Sequence, residues 1–377
     1  MRLQLVAPST ILVAALCSGC PSNSNPTDEN GDSSNANGDS DNNGTCVTEI
    51  IDPTAGEKTV LHVSLDLDSS GNPHVAYQDW RNFHLKYATR ATGSWVSETV
   101  DPNSDNGSQA SMRLDSAGKV HVSYFVASGS GSLAYATNVS GAWVTEEISS
   151  QGGVHALALD HTDGVHVAFA ATNASPSPLR YATRNAGSGW TLVDVDTAAN
   201  CDQPSLAIDS AGHAHVSYFD RTTVTLKYAT NATGSWAAQT IDANSHVGAL
   251  SSLVVDAAGN VHVIYLDSLN TRLKYATNSS GSWVAAPVDG TNNVGGQSTS
   301  LVIDVNDKLY ASYQDGETKD LWYATRAVGA DWEVRILAGG PDNLGAASSL
   351  GVDSVRATLH VAFVDQTSGG IYYLQCK

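Results

Sequence analysis

This chain reads as an all-β protein, a seven-bladed β-propeller of four-stranded antiparallel blades, and three observations predict it. A Tyr-Ala-Thr tripeptide in an LKYAT-like run recurs with its tyrosine at Tyr87, Tyr135, Tyr181, Tyr228, Tyr275 and Tyr323, and a degenerate IYYLQ copy places Tyr373 seventh. The successive spacings of 48, 46, 47, 47, 48 and 50 residues are those of a propeller blade. No stretch from residue 45 onward carries an apolar period of 3.6, which leaves helix nearly absent.

Within one unit, SLAID from Ser205 gives an innermost strand, HVSYFD a second, LKYAT a third and WAAQTID an outer one. Each run is rich in Val, Ile, Tyr or Trp and bounded by Gly, Asn, Asp or Ser, the signature of strands joined by hairpins. Twelve of the 14 tyrosines occupy the LKYAT slot or the HVSY slot (Tyr77, Tyr124, Tyr218, Tyr265, Tyr313), with Phe169 and Phe363 substituting in the latter. Trp95, Trp143, Trp190, Trp236, Trp283 and Trp332 recur where the outer strand opens. Aromatics at fixed offsets pack blade against blade.

His74, His121, His166, His215, His262 and His360 share one slot, filled by Tyr310 in the sixth unit. A shared metal ion is a poor reading, because equivalent atoms on adjacent blades lie about 9 Å apart, far beyond bonds of about 2 Å. The expected partners are the Asp six residues earlier (Asp68, Asp115, Asp160, Asp209, Asp256) and the Ser or Ala two residues later.

The seventh unit lacks an outer strand, and the N-terminal run GTCVTEIID supplies it, matching GSWVSETVD of the first unit position by position. Cys46 then stands in the tryptophan slot and Cys376 in the slot held by Arg90, two positions that face each other across a hairpin. The predicted Cys46–Cys376 disulfide locks the ring and contributes roughly 5 kcal/mol by chain entropy. Cys201 is left over, a small buried residue rather than a nucleophile.

Ahead of the propeller domain (45–377), residues 1–20 read as a signal peptide, with an apolar run too short to span a membrane. The ending Ser18-Gly19-Cys20 resembles a bacterial lipoprotein signal, with Cys17 where that family usually has leucine. The resemblance implies lipidation of Cys20 and, with Pro21 rather than Asp next, an outer-membrane address; a plain secreted protein cut nearby is the alternative. Residues 21–44, almost entirely Ser, Asn, Asp, Gly and Pro, form an acidic disordered tether.

The formal charge of −19, from 38 acidic and 19 basic residues, disfavours nucleic acid and anionic lipid as partners of the propeller. Membrane contact is then by the lipid anchor only. Calcium is the one cofactor left open: Asp101, Asn103 and Asp105 alternate as in a calcium loop, although the glycine comes one place late and no bidentate glutamate follows. The competing reading is turn chemistry.

The elements DSAGHAHVSYFD and GSW resemble the BNR or Asp-box repeat of sialidase-like propellers, and the likeness covers Cys46 to Cys376. It implies the fold and not the activity. Sialidases have six blades, an arginine triad and a Tyr-Glu pair, whereas the loop arginines here, Arg81, Arg221 and Arg272, are scattered over units one, four and five. Hydrolysis of a glycoside needs two convergent carboxylates. Glu57 and Glu317 are the loop glutamates, while Asp79, Asp220, Asp267, Asp315 and Asp365 recur as turn caps. No catalytic constellation is recognisable.

The expected function is therefore a non-catalytic, envelope-anchored, monomeric binding module that recognises carbohydrate through loops on one face. The loop DWRNFH breaks the repeat and offers Asp79, Trp80, Arg81 and Phe83 as a sugar platform, with Trp322 as a second candidate. The alternative is a scaffold docking an envelope or extracellular protein, and a sialidase-like glycoside hydrolase ranks third.

Overall fold

The computed structural model describes residues 46–53, 62–79, 81–103, 106–129, 131–172, 174–185, 189–288 and 294–377. The expected signal peptide (1–20) and tether (21–44), and Glu57, Trp80 and Asp105, lie outside these residues.

Every element among the described residues is a β-strand, and the strands form seven antiparallel sheets of four. Strand β1 is Cys46–Asp52. Blade 1 runs from the axis outward as β2 (Val63–Leu67), β3 (Pro73–Asp79), β4 (His84–Thr89) and β5 (Val96–Asp101). Blades 2 to 6 repeat that order over 106–149, 155–196, 201–242, 247–287 and 294–338. Blade 7 takes three strands from 344–376 and its outer one from β1, in which Cys46 pairs with Cys376. The disulfide joins them with Cα atoms 4.1 Å apart. Cys201 is buried and unpaired, as expected.

The aromatic slots pack as the repeat predicts. Each slot tryptophan meets the LKYAT tyrosine of the preceding blade edge-on, with ring centroids 4.9–5.6 Å apart. The histidine slot is satisfied differently from the expectation. Nε2 does face the Asp six residues earlier, at 3.0–3.3 Å in His121, His166, His215 and His262. Nδ1, however, meets the LKYAT tyrosine hydroxyl of the same blade, at 2.5–2.6 Å in His121, His166, His215, His262 and His360 and also in His74. The Ser or Ala two positions on is not the partner: it stands directly opposite the tyrosine, as Ala76 opposite Tyr87, and the long phenol side chain reaches diagonally to the histidine. Tyr310 keeps the bond to Asp304, at 2.9 Å.

A second network ties blade to blade. A register shift just before the end of the outer strand, as between Leu85 and Lys86 opposite β5, turns the terminal Asp toward the next blade. Tyr77 Oη donates to Asp52 at 2.9 Å, Tyr124 to Asp101 at 2.8 Å, Tyr218 to Asp196 at 2.6 Å and Tyr265 to Asp242 at 2.6 Å. Lys86, Lys227 and Lys274 add ion pairs to Asp52, Asp196 and Asp242. Where the Asp is missing, at Ser149 and Ala338, the next blade carries Phe169 or Phe363 instead of tyrosine. An apolar ring needs no acceptor, so the missing Asp leaves no phenol without one at these two places.

Candidate functional site

Chain direction decides which loops share a face. Each inner strand is entered from the same side on which the second strand hands over to the third. The 79–84 turn of blade 1, the Asp101 loop and their equivalents therefore lie on one face, called upper here.

The channel mouth on this face holds a cavity of about 530 Å³, lined by Gln109, Arg113, His155, Gln203, Arg221 and Thr299 among others. A second cavity of about 430 Å³ opens beside it, with Phe125, Val154, Ala170 and Cys201 as its apolar wall and Thr172 and Asn200 as polar groups. Gln109, Val154, Asp202 and Arg221 line both, so the two form one cleft across blades 2 to 4.

Backbone strain marks the same place. The inner strands of blades 2, 4 and 5 carry a bulge before their serine, which puts Gln109 (φ 58°), Gln203 (φ 48°) and Leu250 (φ 54°) in the left-handed region. Such residues cost about 1–3 kcal/mol each unless the surroundings compensate, and they cluster at ligand sites. Gln203 Oε1 is held by the Leu250 N–H of the next blade at 2.7 Å. Gln109 has no such anchor, because blade 3 lacks the bulge, and its buried Oε1 has no hydrogen-bond partner. His155 stands in the same wall, nine-tenths buried. Its Nδ1–H donates to Gly153 O at 2.9 Å; Nε2 has no partner in hydrogen-bonding geometry, although the Ser123 backbone also approaches the ring. Burial holds the His155 pKa below its ordinary value, and burial together with His155 brings His62 down to about 4, so both imidazoles are neutral at pH 7.

Midway down the channel runs a belt of serines. Ser64, Ser111, Ser205, Ser252, Ser300 and Ser349 each accept, at 3.0 Å, the N–H of a residue in the following blade: Met112, Leu157, Leu253, Leu301, Leu350 and Leu65. Ala156 of blade 3 interrupts the belt. Arg113 lies in this zone and lines the channel both above and below it, donating to Met112 O at 2.7 Å. Asp66, one layer deeper, accepts from the N–H groups of Leu114 and Leu67; burial raises its pKa despite Arg113 nearby and those two bonds. At the rim, Arg221 places Nε and Nη2 on Asp202 at 2.9 and 2.7 Å. Burial pushes the Cys201 thiol well up, so it is no nucleophile at neutral pH.

The residues singled out from sequence are distributed otherwise. Asp79 caps its turn, accepting from Arg81 N, Asn82 N and Asn82 Nδ2, and Phe83 is 39% exposed beside it. Neither they nor Arg81 line the cleft. Trp322 is packed against the core between blades 5 and 6. Asp101 accepts from Tyr124 Oη and, through Oδ1, from Asn103 N and Nδ2, and Asp242 repeats this with Tyr265 and Asn244. Two of the three residues that suggested calcium, Asp101 and Asn103, thus form a blade-to-blade clasp followed by an Asx turn. Sequence reasoning missed the serine belt, although its signal was present: a serine precedes Asp68, Asp115, Asp209, Asp256, Asp304 and Asp353 by four residues. It also missed Gln109, Arg113 and His155, whose importance comes from positions where the repeat fails.

No family model matches the chain, and no curated protein matches it. Among solved structures it is similar to an ulvan lyase of polysaccharide lyase family PL25 bound to -[GlcA(1-4)Rha3S]-, at 13% identity and TM-score 0.56 over 81% of this chain and 90% of that one. It is also similar to the six-bladed fucose-recognising lectin of Aleuria aurantia, at 15% identity and TM-score 0.53 over 74% and 96%. Hydrazine synthase of Kuenenia stuttgartiensis matches at 11% identity and TM-score 0.59 over 83% and 94%. What the chain shares with all three is the β-propeller fold.

Proposed function

We propose that this protein is a non-catalytic carbohydrate-binding module, held at the bacterial cell envelope by lipid on Cys20, whose ligand enters the cleft over blades 2 to 4. The observation that carries the reading is the cleft's chemistry: an unmet buried acceptor, Gln109 Oε1, and the neutral His155 ring beside the apolar wall at Phe125. A buried acceptor without a donor costs about 1–3 kcal/mol, and a hydroxyl-rich ligand with one apolar ring face relieves that cost while covering the phenyl group. The saccharide named with the ulvan lyase and the fucose recognition of the fungal lectin support a sugar on this fold. The 79–83 loop stands on the same face and is the outer contact for a longer chain.

The test is glycan-array binding by the purified protein, followed by calorimetry on the hits. Gln109→Ala and Phe125→Ala each lower affinity at least tenfold, and Trp80→Ala reports whether the blade 1 loop takes part. A blank array from folded protein would discard this reading in favour of a docking scaffold for an envelope protein.

A further inference from the structure

The serine belt has donors to spare. Each of the six hydroxyls already accepts a backbone N–H, so its own hydrogen must be directed to another acceptor, and all six side chains line the cavity. Arg113 sits among them with a single hydrogen bond, to Met112 O, which leaves most of its five donors uncommitted. Asp66 is within Coulombic reach but forms no ion pair with it, its oxygens being used by Leu114 N and Leu67 N. The other cation of the upper cavity, Arg221, is neutralised by Asp202. In a chain of net charge −19, the channel mouth therefore holds a guanidinium that forms no ion pair, within a ring of hydroxyl donors. Gln109, whose buried Oε1 in the same wall has no hydrogen-bond partner, is an independent sign that the cavity expects an occupant.

We infer that the ligand is an acidic saccharide whose carboxylate docks on Arg113 within the serine belt, its hydroxyls reaching Gln109 and His155 above. A guanidinium and a carboxylate match in charge and in planar, forked geometry, and hydroxyl donors complete the anion's shell. The inference rests on the carbohydrate reading and sharpens it to one substrate class.

The experiment is calorimetric titration of the full protein with a uronic-acid trisaccharide, with the same trisaccharide after reduction of its carboxylates to alcohols, and with sodium sulfate. The acidic sugar binds at least tenfold more tightly than the reduced one, and raising salt narrows the gap. Arg113→Gln abolishes the preference; Arg113→Lys, which keeps the charge but not the fork, retains part of it and covers the case in which the glutamine variant misfolds. Equal binding of both sugars, or a preference untouched in Arg113→Gln, overturns the anion site and leaves the carbohydrate reading standing. If neither sugar binds, the carbohydrate reading falls; sulfate heats that vanish in Arg113→Gln then still support the anion site, and no sulfate heat overturns it too.

Discussion

Replacing Asp242 with Ala tests the blade-to-blade clasp most directly. The carboxylate is 5% exposed and accepts from Tyr265 Oη at 2.6 Å, from Lys274 Nζ, and from Asn244 N and Nδ2 at 3.0 and 2.7 Å. Burial alone would raise its pKa, but the bonds from Lys274, Tyr265 and Asn244 outweigh burial and hold it below the ordinary value. Its loss leaves a buried ammonium and a buried hydroxyl without an acceptor, and breaking such a pair costs about 3–5 kcal/mol. With unfolding entropy of about 2.1 cal/mol/K per residue over about 330 residues, Tm falls by about 4–7 °C in a calorimetric scan. The chain itself contains the compensated version: the blade after Ser149 carries Phe169 in the tyrosine slot, and the blade after Ala338 carries Phe363. Combining Asp242→Ser with Tyr265→Phe and Lys274→Met therefore recovers at least half of the loss, a coupling of about 1.5–3 kcal/mol. Strictly additive effects of these changes would refute the clasp as the source of the stability.

Three further outcomes follow from the ring. Cys46→Ser with Cys376→Ser opens a crosslink spanning 330 residues and lowers Tm by up to about 7 °C, from roughly 5 kcal/mol of chain entropy; unchanged melting of the oxidised and mutant proteins would contradict it. Ser252→Ala leaves Leu301 N–H without its acceptor and costs about 1–3 kcal/mol, read as faster hydrogen exchange at the Leu301 amide; unaltered protection there would argue against the belt. Acid destabilises the protein in two stages. Burial lowers the pKa of His74, His121, His215 and His262, and takes His360 to about 4, so the folded state resists protonation and stability present above pH 6.5 declines toward pH 4. The hydrogen-bonded carboxylates of Asp196, Asp242 and Asp256, and of Asp209 at about 2, have depressed values despite burial, so their contribution is present above about pH 4 and lost as pH falls through the folded values. A melting temperature that stays level from pH 8 to pH 5 would exclude the histidine stage.

The blade architecture was legible because a propeller's local contacts recur with its sequence period. Strand pattern, tyrosine and tryptophan slots, and the supply of the missing outer strand by residues 46–52 follow from counting residues, and so does the pairing of Cys46 with Cys376. Some of what was missed was equally written in the repeat. The serine four residues before most of the slot Asp residues, whose partner lies 48 residues on as in Ser205 to Leu253, and the exchange of tyrosine for phenylalanine after Ser149 and Ala338, whose equivalent pair Asp242 and Tyr265 is 23 residues apart, are patterns whose partners sit one blade away.

The cleft belongs to another category. Gln109 is a surface-type residue in sequence, and only the bulge that turns it inward, and the absence of a matching bulge in blade 3, make it an unanchored acceptor. Arg113 looks like an exposed strand residue until seven inner strands close around it. The sequence by itself determined the ring, because every blade repeats the same short-range code. Tertiary structure alone decided the site, because a binding cavity arises where neighbouring blades differ, and that difference has no meaning until the ring has brought them side by side.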